Sequence, residues 1–167
     1  DIGFVASRVL VVNEFGDMIG RRINILKAKL YHPPEGMLEI IHKGAPTWTG
    51  ICFNKSAADD VGFIDKAIGA PSDYEFEYRL AHNYKFSIIE DFGAIFIKHS
   101  GSFSSQEEDI IERSESVLRI ASKVKCYNNI SDRTLFLAQK LLVKRYLRFI
   151  YKGIQHGYTH DKNICTK

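Results

Sequence analysis

The sequence predicts a single α+β domain, in which an antiparallel sheet of about six or seven strands is accompanied by one short helix and two long C-terminal helices. Three observations predict this class. Period-two and β-branched segments dominate residues 1–100, whereas residues 104–153 carry apolar side chains at helical spacing. A chain of 167 residues, 45% of them hydrophobic, also suffices for one core. We expect one domain over residues 1–153 and a flexible tail over residues 154–167.

Four strands are predicted before residue 54. Residues 4–12 are rich in β-branched side chains, and residues 22–31 alternate apolar with basic side chains, which favours a strand with one solvated face. The two prolines that follow must end this second strand, because proline lacks an amide donor. Residues 37–43 and 47–53 are predicted as two further short strands.

A short helix and a three-stranded meander are predicted next. Ser56 begins a sequence that resembles a capping box, and the helix is expected to end at Gly69. Residues 74–80 then alternate aromatic or apolar side chains with charged ones, which indicates a strand with one wet face. Residues 84–90 and 94–99 have strand composition and are separated from their neighbours by short turn-like segments, which predicts antiparallel pairing.

Two long helices are predicted at the C-terminal end. The first is expected to begin at Ser105, which opens a capping box with an acidic first turn. Ser131 is the predicted cap of the second helix, which is expected over residues 132–152 and to end at Gly153.

The net charge of +3 conceals a division along the chain. Residues 1–122 contain 13 Lys and Arg against 18 Asp and Glu, a net charge of −5, whereas residues 123–167 contain 10 against 2, a net charge of +8. An acidic, strand-rich body is therefore followed by a basic, helical C-terminus. Such asymmetry indicates that the basic segment interacts with something anionic.

The basic side chains of the last predicted helix fall within about 140° of one another on a helical wheel. This basic stripe consists of Arg133, Lys140, Lys144, Arg145, Arg148 and Lys152. The predicted apolar side of the helix contains Leu135, Phe136, Ala138, Leu142, Tyr146, Phe149 and Ile150. Like charges four residues apart repel one another by a few tenths of a kcal/mol. We therefore expect a counter-charge opposite the stripe.

Three sources of that counter-charge are open. The stripe can face carboxylates of the same molecule, such as Glu75 and Glu77 or the acidic residues at 107–109. It can bind an anionic surface, either RNA phosphate or acidic lipid headgroups. It can also bind an acidic protein partner, including a second copy of the chain that forms a homo-oligomer. We predict a non-enzymatic structural or interaction module that self-associates or binds an anionic partner through the basic stripe.

Two further statements concern sites away from the stripe. Trp48, the single tryptophan, is a predicted partner contact, because tryptophan is favoured at binding hot spots. The alternative to an interaction module is a small enzyme or ligand-binding domain with its site at His82, Glu90 and His99, near the predicted turns of the meander. In size, basic charge and strand-plus-helix content, the chain resembles viral matrix or accessory proteins that assemble on membranes or ribonucleoprotein.

No catalytic residue, cofactor or metal site is predicted. Asp91-Phe92-Gly93 matches the metal-binding triplet of kinases, but no phosphate-covering glycine loop accompanies it, and a hairpin turn explains it. His156, His160 and Cys165 lack a fourth metal ligand. Three widely spaced cysteines predict an intracellular, cytoplasmic protein, peripheral to a membrane if it binds one, since no apolar run is long enough to cross a bilayer.

Overall fold

The computed structural model describes residues 1–22, 24–99, 101 and 110–164, without the side chains at 110, 111, 113, 152 and 156–164. Short 3-10 turns lie at residues 48–50, 66–68 and 124–126. The strands and helices are β1 (Ile2–Val12), β2 (Met18–Arg22), β3 (Lys29–Tyr31), α1 (Glu35–Lys43), β4 (Ile51–Phe53), α2 (Lys55–Val61), α3 (Ser72–Asn83), β5 (Lys85–Ile97), α4 (Ile110–Lys123) and α5 (Asp132–Ile164). The predicted α+β class is confirmed.

The sheet is mixed, so the predicted antiparallel sheet of six or seven strands is wrong. It has five strands in the described part of the chain, in the order β2-β1-β5-β3, and β4 pairs with β1. β1 and β5, the two longest strands, run parallel to each other, and the remaining pairs are antiparallel. A parallel pair needs a crossover connection. Helices α1, α2 and α3 lie in the chain between β1 and β5 and supply it.

Three helices rather than one precede the C-terminal pair, and two of them were predicted as strands. Residues 37–43 belong to α1, which buries Met37, Ile40 and Ile41 at the spacing of three and four that a helix face requires. The predicted strand at 47–53 contains only the three residues of β4, which follow a 3-10 turn.

The segment 74–80 is not a strand but the middle of α3, and its charges are not solvated. Glu75 and Glu77 are both buried, together with Phe76 and Tyr78. Alternation predicts a half-exposed strand only when the polar residues face water. Here Glu75 accepts a hydrogen bond from Arg79, four residues later, at 2.7 Å, which is helical geometry.

The segments 84–90 and 94–99 form one strand, β5, so the predicted turn at Asp91-Phe92-Gly93 is wrong. Gly93 is required for close packing, because a Cβ there would lie 2.6 Å from Ser7 Oγ. Irregularities of register between Ala6 and Val9 absorb the extra residues of β5 opposite β1.

Two other predicted boundaries are corrected. The strand predicted over 22–31 is two separate strands, since β2 ends at Arg22 and β3 begins at Lys29. The short helix begins one residue before the predicted cap, because Asn54 accepts the Ser56 amide at 2.9 Å, and α2 ends at Gly62 rather than Gly69.

The core lies between the sheet and the helices. Phe86 of β5 stacks between Phe4 of β1 and Tyr31 of β3, with ring centroids 4.6 and 4.7 Å apart. Gly36 lets α1 approach this stack, since a Cβ there would be 2.7 Å from the Phe86 ring. Helix α3 packs beside α1, and α5 contacts both α1 and α4.

The predicted cap of the last helix is confirmed. The Thr134 amide donates to Ser131 Oγ at 3.2 Å, and α5 begins at Asp132. The predicted end at Gly153 is wrong, because the helix runs to Ile164. The flexibility of residues 154–167 stays a prediction, and the cap at Ser105 falls outside the described residues.

Candidate anionic-surface interface

Helix α5 is attached to the body by one face. Thr134, Ala138 and Leu142 are buried, and Tyr146 and Phe149 pack against the core cluster. These residues follow one another at intervals of three and four, so they form a continuous stripe. The opposite side of α5, here called its outer face, faces away from the body.

The structure divides the predicted basic stripe into two parts. Four of its cations are exposed on the outer face: Arg133, Lys140, Lys144 and Arg148. They extend along roughly 22 Å of helix at 1.5 Å per residue. Arg145 instead turns towards the body, where its Nη1 donates to the Tyr78 hydroxyl at 2.8 Å. The side chain of Lys152 lies outside the described residues.

No carboxylate of the described part of the chain forms an ion pair with the four exposed cations. The acidic residues considered from the sequence have other surroundings. Glu75 pairs with Arg79 at 2.7 Å, and Glu77 is buried with no hydrogen-bond partner in the part of the chain that the structure describes. Residues 107–109 are outside the described range. Among the described residues, carboxylates of the same molecule, the first of the three sources of counter-charge, therefore do not neutralise these four cations.

Large apolar side chains share the outer face with the cations. They are Phe136, Val143, Leu147, Tyr151 and Ile154, which are 46–65% exposed. The apolar face predicted from the wheel therefore placed Phe136 wrongly, because this ring is 65% exposed. Heptad spacing, which links 136 to 143 and 147 to 154, is the signal in the sequence that identifies this second apolar stripe.

Trp48 lies at the edge of the core rather than standing free. Its ring is 5.9 Å from that of Phe53 and 6.0 Å from that of Phe76, measured between centroids. The side chain is half-buried and packs against the core cluster. Part of its surface remains accessible, and its role as a partner contact stays a prediction.

Two of the three residues of the alternative site have separate partners. His82 is buried near the end of α3, where its Nε2 lies 2.9 Å from the Asn128 carbonyl oxygen. Glu90 lies on β5 and pairs with Arg8 at 3.6 Å. Neither these two residues nor His99 line the two cavities that lie beside α3, one of them against α2 and the other against α4 and α5.

The larger cavity, about 230 Å³, lies between α2, α3 and the turn that follows α4. Arg79 and Lys123 line it, but both cations are already neutralised. Arg79 bonds to Glu75 and to the carbonyl groups at 61–63. Lys123 bonds to Asp65 and thereby lowers the pKa of that carboxyl. The cavity therefore offers no unpaired charge to an anionic ligand.

Metal binding finds no support among the residues described. No three His, Cys, Asp or Glu side chains there are close enough to share a metal ion. His156, His160 and Cys165 lie outside the described side chains. Within the same part of the chain, no helix is both long and apolar enough to cross a bilayer.

No protein-family model, curated protein or solved structure matches this chain. The class is therefore defined by the fold and the surface alone. It is an α+β domain built on a mixed five-stranded sheet, with a long C-terminal helix whose exposed face combines cations with large apolar side chains.

Proposed function

We propose that this protein is a non-enzymatic interaction module that binds an anionic membrane surface through the outer face of α5. One observation carries the proposal. Four cations and five large apolar side chains share one exposed helix face, and no ion pair with a carboxylate neutralises these cations in the described part of the chain. A helix that lies at the lipid interface needs both kinds of side chain.

Both kinds of side chain contribute to such binding. A Lys or Arg close to an anionic leaflet contributes about 1 kcal/mol, so four of them contribute about 4 kcal/mol. The apolar side chains add roughly 25 cal/mol for each Å² that leaves water. Lysine and arginine can keep their charges at the headgroups while their alkyl stems lie along the apolar stripe.

The apolar stripe favours lipid over nucleic acid. Phosphate contacts require cations alone, and on a nucleic-acid backbone Phe136, Leu147 and Ile154 would stay in water. The cations, in turn, favour lipid over a second α5 helix as the partner. Two copies of the outer face would bring Lys140 and Lys144 close to the same cations of the partner, and like charges repel.

A flotation assay with liposomes tests the proposal. Vesicles that contain phosphatidylserine should retain the protein at low salt, and vesicles of phosphatidylcholine alone should retain much less. Charge reversal by Lys140→Glu with Lys144→Glu should weaken binding by about tenfold or more, because two attractions become repulsions. The control is Lys27→Glu with Lys66→Glu, which changes net charge equally at two exposed positions outside α5.

Apolar variants separate lipid from RNA. Phe136→Ser with Leu147→Ser should weaken binding to acidic vesicles and leave net charge unchanged. An RNA-binding protein would instead bind a single-stranded RNA with an affinity that falls steeply with salt and ignores these two substitutions. That outcome, or equal binding by wild type and the Lys140/Lys144 variant, would refute the membrane proposal.

A further inference from the structure

In the described part of the chain, the outer edge of β5 has no paired strand over most of its length. β3 pairs with β5 only at Phe86–Ile88, although β5 continues to Ile97. Within the described residues, no strand pairs with this edge beyond Ile88. An edge that leaves a row of amide and carbonyl groups unpaired is a template for another strand.

The direction of the free backbone groups follows from one hydrogen bond. The Lys98 amide donates to the Val12 carbonyl of β1 at 2.8 Å. Alternate residues of a strand direct their backbone groups to opposite sides. The backbone groups of Lys98 point towards β1, and so do those of Phe96 and Ala94. The amide and carbonyl groups of Ile95 and Ile97 therefore point away from β1.

The face beside this edge carries exposed apolar side chains in the described part of the chain, and Arg21 of β2 lies on its far side. Ile95 lies next to Leu10 of β1, and Ile97 lies next to Val12, which is paired in turn with Met18 of β2. Ile95 and Ile97 are 59% and 57% exposed. No proline or charged residue, the usual protection of an edge strand, occurs between Phe92 and Ile97.

We propose that a second copy of this chain pairs with the β5 edge in the antiparallel direction. Charge determines the direction. Asp91 lies at the start of the open edge and Lys98 lies at its end, and neither forms an ion pair within the described residues, whereas the neighbouring Glu90 pairs with Arg8. Antiparallel pairing brings each Lys98 towards the acidic end of the other copy, whereas parallel pairing would place like charges side by side.

The same symmetry brings apolar side chains together. Outward-facing residues must pair with outward-facing residues, so Ile95 meets Ile95 or Ile97 of the second copy. Both isoleucines lie on one face of the sheet, and four isoleucines then form a continuous apolar cluster across the two-fold axis. The edge is short, so we expect a weak dimer with a dissociation constant on the order of micromolar. This proposal does not depend on membrane binding.

Sedimentation equilibrium of the full chain over a range of concentrations tests the dimer. Wild type should shift from monomer to dimer as its concentration rises. Ile95→Lys and Ile97→Lys should each weaken association at least about tenfold, because a charge at the edge loses its water on pairing. Met18→Lys is the matched control: Met18 is 58% exposed on β2, away from the β5 edge.

A second measurement keeps the result clear if association is weak. Under mild oxidation, Ile95→Cys should form an intermolecular disulfide much faster than Met18→Cys. A wild type that stays monomeric at all concentrations would overturn the proposal. So would a dimer that Met18→Lys disrupts as strongly as Ile95→Lys. A dimer lost with Lys140→Glu and Lys144→Glu, but intact with Ile95→Lys, would place the interface on α5 instead.

Discussion

At the scale of single residues, Glu77 is the clearest departure from what its sequence position predicts. It is fully buried in α3, and neither carboxyl oxygen has a hydrogen-bond partner among the described residues. Burial, and secondarily the nearby Asp73, raise the pKa of Glu77 well above its ordinary value. The group is therefore held protonated in the folded protein at pH values where it ionises in the unfolded chain.

The sign of the pH dependence follows. Below the unfolded pKa of Glu77, both states carry the proton and the group does not oppose folding. As pH rises from that value to the folded pKa, the free energy of unfolding falls by about 1.4 kcal/mol per pH unit. Above the folded pKa, the penalty is complete.

We predict that Glu77→Gln removes this slope and stabilises the protein at neutral pH, because the amide cannot ionise. Urea unfolding at several pH values between 4 and about 8 measures the slope directly. Glu14→Gln, in the exposed turn after β1, is the control and should keep the wild-type slope. An identical pH profile for wild type and Glu77→Gln would show that Glu77 is ionised in the fold.

At the scale of elements, the helices and strands that depend on a local sequence signal were predicted correctly. β1 was predicted almost to its ends, because its β-branched residues favour a strand. The start of α5 was predicted from Ser131, since a cap is a local hydrogen bond. α3 was mistaken for a strand, because alternation does not reveal that Glu77 is buried and Glu75 paired. The parallel direction of β1 and β5 depends on contacts between residues more than 80 positions apart, which no local pattern contains.

The candidate surface on α5 was likewise predicted only in part. The wheel placed Arg133, Lys140, Lys144 and Arg148 on one side, and the structure leaves all four exposed. It could not separate Arg145 from them, since that depends on the position of Tyr78, which is distant in the chain. The exposed apolar stripe was missed because Phe136 was placed on the buried side of the wheel, and the side of α5 that packs on the body depends on its contacts with α1 and α4.

The cap of α5 provides a prediction at this scale. Ser131→Ala removes the oxygen that accepts the Thr134 amide, and we expect the free energy of unfolding to fall by about 1 kcal/mol. Ser122→Ala, at an exposed position within α4, should change it by less than about 0.5 kcal/mol. Thermal or urea unfolding compares the two. Equal effects would mean that this hydrogen bond contributes nothing to the start of α5.

At the scale of the whole molecule, α5 has two separable tasks. Its inner face joins the helices and the sheet into one core, and the cations of its outer face form no ion pair with a carboxylate in the described part of the chain. Stability should therefore depend on the inner face, and membrane binding on the outer one. Two arginines three positions apart, one on each face, allow this division to be measured.

We predict that Arg145→Met lowers the free energy of unfolding by roughly 1–3 kcal/mol, because the buried Tyr78 hydroxyl loses its partner. Arg148→Met removes the same charge from the exposed face and should change stability by less than about 0.5 kcal/mol. Liposome binding should show a different order, since Arg148→Met removes one of the four outer cations and Arg145→Met removes none. If Arg148→Met destabilised the fold as much as Arg145→Met, the outer face would contribute to stability. The division of α5 into a stabilising face and a binding face would then be wrong.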